Sequence, residues 1–270
     1  MKKHSIFYVS DGTAITAETV GHSLISQFKD LEFTQIRIPF VDTKAKAQAA
    51  AERIKKHNQD SQALVINTVV DIELRIIIHS GGGLKLDPFN RLLREIEENL
   101  NIKRSPVVGK AHGIVNSEAY NARIEATNYA LSHDDGVSVS YEEADIILLG
   151  VSRSGKTPTC LYLALQYGVK AANYPLTEED LNCLKIPEHI LKHKQKVYGL
   201  TIDAFRLSQI RAQRRPNSQY SNPRQCQMEV SDAESMFLKN GIEFLSTTHT
   251  SIEEISGKIL LALNLNNRLH

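Results

Sequence analysis

The sequence predicts an α/β protein: an N-terminal doubly wound parallel-sheet domain followed by a second α/β domain built around a phosphate-binding loop. Two observations predict it. Short apolar runs alternate with longer helical patterns along the whole chain, the signature of βα units and parallel sheets. Past the midpoint, Gly150-Val151-Ser152-Arg153-Ser154-Gly155-Lys156-Thr157 reads Gly-x-x-x-x-Gly-Lys-Thr, a pattern that needs a strand before it and a helix after it.

In the first half, residues 5–9 read as a strand and residues 14–28 as a helix, with Ser10-Asp11-Gly12-Thr13 between them. A second strand is expected at 36–41, with Pro39 near its end or at a sheet edge. A helix rich in Ala and Lys follows at 44–57, then a third strand at 63–70. Residues 71–79 read as a helix despite their β-branched side chains. Gly81-Gly82-Gly83 is a flexible break, and 87–99 is a further helix. Residues 103–112 lack periodicity and read as a linker.

Residues 117–132 form a helix that His133-Asp134-Asp135-Gly136 closes. The run 145–149 is a buried-type strand, and 158–167 is a helix with Gly168 as its stop. Strands are expected at 170–174, 197–202 and 242–246. Helices are expected at 204–214, 224–239 and 252–263. The domains so drawn are 1–103, a helical connector at 104–142 and a nucleotide-binding domain at 143–270. No internal repeat or low-complexity tract is present.

Composition narrows the class. The chain has 270 residues, 41% hydrophobic and 23% charged, with a net charge of +1. That balance gives no general electrostatic reason to expect nucleic acid or a membrane surface as partner. Cys160, Cys183 and Cys226 are widely spaced and suggest neither a disulfide framework nor zinc. Met1-Lys2-Lys3-His4 is basic, but the apolar run at 6–9 is too short for a signal-peptide core, so the cytoplasm is the expected compartment.

The glycine loop carries the clearest chemistry. Gly150 and Gly155 let successive backbone N–H groups face one anion, and the helix start adds the positive end of its dipole. Lys156 places a point charge on the terminal phosphates, and the Thr157 hydroxyl suits Mg²⁺. Pro158 is unusual, because it has no N–H to offer an inner phosphate. It is tolerated in a first helical turn.

Four other groups read two ways. Ser10-Asp11-Gly12-Thr13 sits where ligands bind open parallel sheets, yet Asp11 or Thr13 would equally cap the helix. Asp134 and Asp135 would hold Mg²⁺ or act as a base on a hydroxyl, or simply form a turn. Asp203 ends a strand after the loop, where a second metal-holding acid often lies, or caps the next helix. Arg206, Arg211, Arg214, Arg215 and Arg224 surround a proline-flanked polar loop. They form either a phosphate-gripping lid or a solvated face. The absence of Asp-x-x-Gly, Asn-Lys-x-Asp and Leu-Ser-Gly-Gly-Gln argues against a GTPase switch and a transporter ATPase. The residues by themselves reach a soluble, kinase-like phosphotransferase of unknown substrate.

Residues 7–18, opening Phe7-Tyr8-Val9-Ser10-Asp11-Gly12-Thr13, resemble the start of the bacterial phosphoenolpyruvate synthase regulatory proteins. So do His133-Asp134-Asp135-Gly136, the glycine loop with Pro158-Thr159, Ala171-Ala172-Asn173-Tyr174-Pro175, Gly199-Leu200-Thr201-Ile202-Asp203 and residues 224–230. The match runs in order over nearly the whole chain. The resemblance implies a bifunctional serine/threonine kinase and pyrophosphorylase. Its kinase takes a phosphoryl group from ADP and places it on a threonine of phosphoenolpyruvate synthase, inactivating it. Its second activity removes that phosphate with inorganic phosphate as acceptor and gives pyrophosphate. A sister branch acts on pyruvate, phosphate dikinase, and tends to open Ser-Asp-Ser-x-Gly-Glu-Thr rather than as here.

By the same resemblance Gly150 to Thr157 match the family's ADP-binding loop; in the mechanism expected here Lys156 and the loop amides hold the transferring phosphoryl group, Thr157 places Mg²⁺, and Asp135 or Asp134 is the base. In that mechanism Arg214, Arg215 or Arg224 clamp phosphate from the lid, and the strand-end position noted above leaves Asp203 as a further candidate for the metal. The N-terminal domain recognises the partner or forms a homodimer. A small-metabolite kinase using ATP is the alternative from the same enzyme class. A nucleotide-gated binding protein is the alternative outside it.

Overall fold

In a computed structural model, which describes residues 3–28, 32–59, 61–103, 117–134 and 141–265, the chain divides into two compact units, Met1–Val115 and Asn116–His270. The expected linker at 103–112 lies almost wholly outside the described residues.

The first unit contains β1 (Lys3–Val9), α1 (Ile15–Ile25), β2 (Glu32–Ile38), α2 (Lys44–Asn58), β3 (Leu64–Asn67), α3 (Ile72–His79), β4 (Leu84–Leu86) and α4 (Asn90–Leu100). Its sheet is all parallel in the order β2-β1-β3-β4. Alternation along β1 loads both faces. Phe7 and Val9 pack with Ala47, Ala50 and Ile54 of α2 and Leu74 and Ile78 of α3. Ile6 and Tyr8 pack with Ala17 of α1 and Ile66. A sheet buried on both sides by crossover helices is what the expected doubly wound class requires.

The second unit contains α5 (Ser117–Ser132), β5 (Ile146–Gly150), α6 (Lys156–Tyr167), β6 (Ala171–Pro175), α7 (Glu178–Cys183), α8 (Glu188–Leu191), β7 (Val197–Thr201), α9 (Ala204–Arg214), α10 (Pro223–Asn240), β8 (Phe244–Ser246) and α11 (Ile252–Ala262). Its sheet order, β6-β5-β7-β8, repeats the winding of the first. On one face Ile147, Leu149, Ala172 and Tyr174 meet Leu181, Leu207, Val230 and Phe237. On the other Ile146, Leu148 and Ala171 meet Ala126 of α5, Cys160 and Leu163 of α6, and Ile259 of α11. Thus α5 packs on the second unit's own sheet.

Several elements differ from the sequence expectation. β2 starts at Glu32 rather than residue 36; it is an edge strand whose only buried residue is Ile36, so it carries little apolar pattern. β4, α7 and α8 span three, six and four residues, too short for periodicity to declare them. α6 starts at Lys156, two residues before the expected 158, and Pro158 sits in its first turn.

Candidate functional site

The glycine loop leaves the carboxyl end of β5, which has β6 on one side and β7 on the other. That is the switch point of the sheet, where the chain departs in opposite directions and opens a crevice. The loop's two glycines are there for different reasons. A Cβ on Gly150 would stand 2.2 Å from the Leu200 carbonyl oxygen of β7. Gly155 has room, but its φ of +89° is left-handed. Arg153, at φ 74°, adopts the same unusual region with a side chain.

Lys156 is 4% exposed, and its Nζ donates to the Val151 carbonyl at 2.8 Å. The ammonium thereby closes over the loop. On one flank Thr247 Oγ1 donates to the Ser154 carbonyl at 3.1 Å. On the other, Arg211 Nη2 donates to the Ser152 carbonyl at 3.1 Å, and the Ser152 hydroxyl lies 2.9 Å from Tyr220 Oη. Ser154 Oγ is buried with no hydrogen-bond partner, the kind of group a ligand oxygen would satisfy.

At the loop's end Thr157 Oγ1 donates to Asp134 Oδ1 at 2.9 Å. Asn173 of β6 ties the pair together, its Nδ2 reaching the same carboxylate oxygen and, at 3.0 Å, Thr157 Oγ1. The Asn173 backbone N–H also donates to the His133 carbonyl at 3.0 Å. The His133 ring stacks on Tyr129 of α5, centroids 3.8 Å apart. The turn after α5 is therefore fixed against β6 by main chain and side chain together, and it delivers Asp134 to the loop. Asn173 is 2% exposed, and its Oδ1 is buried without a partner.

The candidates from sequence separate at this point. Lys156, Thr157 and Asp134 come together with the loop residues Gly150 to Gly155. Asp135 lies outside the described residues. Asp203 is the N-cap of α9, its Oδ1 accepting the Arg206 N–H at 2.8 Å. Arg214, Arg215 and Arg224 are exposed around the 3₁₀ turn Gln219–Ser221.

Arg211 differs from those neighbours. It is 1% exposed, forms an ion pair with Glu229 at 2.7 Å, and stacks 4.3 Å from the Tyr220 ring centroid. Asp11, offered as a helix cap or ligand group, accepts the Val70 N–H at 2.8 Å. The N-cap of α1 is Ala14, with no side-chain bond, so neither Asp11 nor Thr13 caps that helix. Burial, and secondarily the Asp134 carboxylate, pushes the Cys160 thiol well above its ordinary range, which leaves this cysteine of α6 as protonated packing.

Two four-stranded, all-parallel sheets, one carrying a Gly-x-x-x-x-Gly-Lys-Thr loop at its switch point, define a two-domain α/β protein. Within that class the chain belongs to the kinase/pyrophosphorylase family, whose model matches residues 6–260. It is 51% identical over 267 residues to a protein of Stenotrophomonas maltophilia (strain R551-3), covering 98% of each chain. It is also 51% identical over 266 residues to one of Xanthomonas campestris pv. campestris (strain B100), covering 98% of this chain and 97% of the other. Both relatives are provisionally named phosphoenolpyruvate synthase regulatory proteins. Among the described residues no helix is long and apolar enough to cross a membrane.

Proposed function

We propose that this protein is a bifunctional regulator of phosphoenolpyruvate synthase, acting in the cytoplasm as a homodimer. In one direction it phosphorylates a threonine of the synthase from ADP; in the other it removes that phosphate with inorganic phosphate. The observation that carries the reading is the hydrogen-bonded group of Thr157, Asp134 and Asn173 on the last residue of the glycine loop. Membership of a family named for both kinase and pyrophosphorylase activity supports the two directions, and the relatives' names support the target.

In the forward reaction the threonine hydroxyl attacks the β-phosphorus of ADP. The bond from that phosphorus to the bridging oxygen breaks, AMP leaves, and the hydroxyl proton passes to a carboxylate. Asp135, next to the anchored Asp134, is the base; Asp134 keeps Thr157 in place. In the reverse reaction an oxygen of inorganic phosphate attacks the phosphothreonine phosphorus. The bond to the threonine oxygen breaks, that oxygen regains a proton, and pyrophosphate is the product. Lys156 and the loop amides hold the transferring group, and charge stabilisation supplies most of the acceleration. Arg214, Arg215 and Arg224 would meet the remaining phosphate charge.

The donor set suits magnesium. A carboxylate and a hydroxyl, hard oxygen ligands, lie within 2.9 Å, and the buried Asn173 Oδ1 beside them has no partner. Thr157 and Asp134 would hold the ion, with Asp203 committed to its helix. When bound, Mg²⁺ neutralises phosphate charge.

The test is to incubate the protein with phosphoenolpyruvate synthase and ADP or ATP, and to read phosphothreonine by mass spectrometry, for wild type and Lys156→Ala. Label from ADP that the variant loses is expected. Label on pyruvate, phosphate dikinase alone would move the protein to that target. Turnover of a small metabolite with ATP, and no label on either protein, would overturn the reading.

A further inference from the structure

Beside the glycine loop lies a cavity of about 340 Å³. Ser152 of the loop forms part of its wall, and so do Glu178 and Asn182 of α7, Arg211 of α9, and Glu229 and Asp232 of α10. The charges in this wall do not cancel. Its single cation, Arg211, is occupied by Glu229 at 2.7 Å and by the Ser152 carbonyl. Glu178 and Asp232 remain, with no ion pair to another described residue.

Two unpaired carboxylates disfavour a nucleotide phosphate here. They equally disfavour the anionic metabolites that small-molecule kinases commonly accept. The volume is at the low end of the roughly 300–1,000 Å³ of small-ligand pockets, enough for one long side chain and the backbone beside it. Met228 and Leu181, also in the wall, offer apolar contact to methylenes, while the carboxylates suit a charged head. That combination fits the way lysine and arginine bury their stems. Arg211 also keeps one buried N–H, at Nε, without a partner, a donor for a backbone carbonyl.

We propose that this cavity is the acceptor-recognition site: it takes a Lys or Arg side chain of the protein substrate, on the segment that carries the phosphorylated threonine. The proposal rests on the kinase reading above. Because Ser152 belongs both to the cavity wall and to the loop, a segment anchored by its cation meets the loop directly. Glu178 and Asp232 act as specificity residues and do not touch the reacting atoms.

The experiment measures initial rates of threonine phosphorylation on intact phosphoenolpyruvate synthase against synthase concentration, with ADP affinity measured separately by calorimetry. In the double variant Glu178→Gln/Asp232→Asn, KM for the synthase should rise about tenfold, with kcat and the ADP Kd within about twofold. Asn182→Lys, at an exposed position of the same wall, should raise KM in the same way. Neutralising a Lys or Arg near the target threonine of the synthase should reproduce the loss and add nothing to the double variant. Unchanged KM in both variants, with the wild type active, would overturn the cavity assignment and leave the kinase reading intact. A wild type that labels no threonine would overturn both.

Discussion

Asp134 and Thr157 stand 23 residues apart in sequence and share a hydrogen bond of 2.9 Å. The bond fixes the loop's last hydroxyl to the residue that precedes Asp135 in the sequence. Asp134→Asn keeps the shape and removes the charge. We expect kcat to fall roughly a hundredfold or more, as for other lost electrostatic groups, with the melting temperature near wild type. Steady-state rates and calorimetry check this. Asp135→Asn should lower kcat on the scale of a lost base, roughly 10²–10⁴-fold.

Asn173→Asp would set a second carboxylate against Asp134. Like charges at that range disfavour double ionisation, so the acid limb of the pH–rate profile should move to higher pH. Asn173→Ala should instead cost about 1–3 kcal/mol of stability through the bonds it strands, without moving that limb. A profile identical to wild type for Asn173→Asp would remove the residue from the site.

Arg211 and Glu229 form a buried pair that also holds the loop. Arg211→Ala should destabilise the protein by about 3–5 kcal/mol, because it leaves Glu229 uncompensated. The double change Arg211→Met/Glu229→Leu should recover much of that stability in denaturant melts. It should not recover ADP affinity, since the Ser152 carbonyl still lacks its donor.

Gly150→Ala and Gly155→Ala separate space from conformation. The first drives a methyl into the Leu200 carbonyl at 2.2 Å, and should cost about 1–3 kcal/mol or more through displaced strands. The second meets nothing closer than 3.7 Å and should cost about 1–2 kcal/mol from its left-handed backbone. Urea melts of the two variants rank them.

In the first unit, burial holds the His79 imidazole below its ordinary pKa, helped by Lys85 and Arg75 and opposed by Asp87. The unfolded chain therefore binds a proton that the native state refuses. Stability from this group is complete above the unfolded value near 6.5 and is lost as pH falls through the lower folded value. Midpoints of urea unfolding between pH 5 and 8 should show the decline, and His79→Gln should flatten it.

The glycine loop was legible because its chemistry demands fixed residues at fixed spacing, and the alternation of apolar runs gave both sheets. Asn173 belongs to no chemical motif and stands out only within the family-like run Ala171-Ala172-Asn173-Tyr174-Pro175. Its own signal was present, since asparagine is disfavoured in strands and this one sits between buried Ala172 and Tyr174. Arg211 sits among exposed arginines in the sequence, yet it falls four residues after the buried Leu207 on the inward stripe of α9. Where Asp11 bonds could not be read, because its partner Val70 is 59 residues away.

Because the chain winds two sheets in one order, it makes two switch points of the same kind, and their loops differ. In the second unit the crevice mouth holds the glycine loop. In the first, the Asp11 carboxylate accepts the Val70 N–H, which ties the loop after β1 to the loop after β3. The same winding therefore ends in a glycine loop in one half and in a carboxylate tie between neighbouring loops in the other.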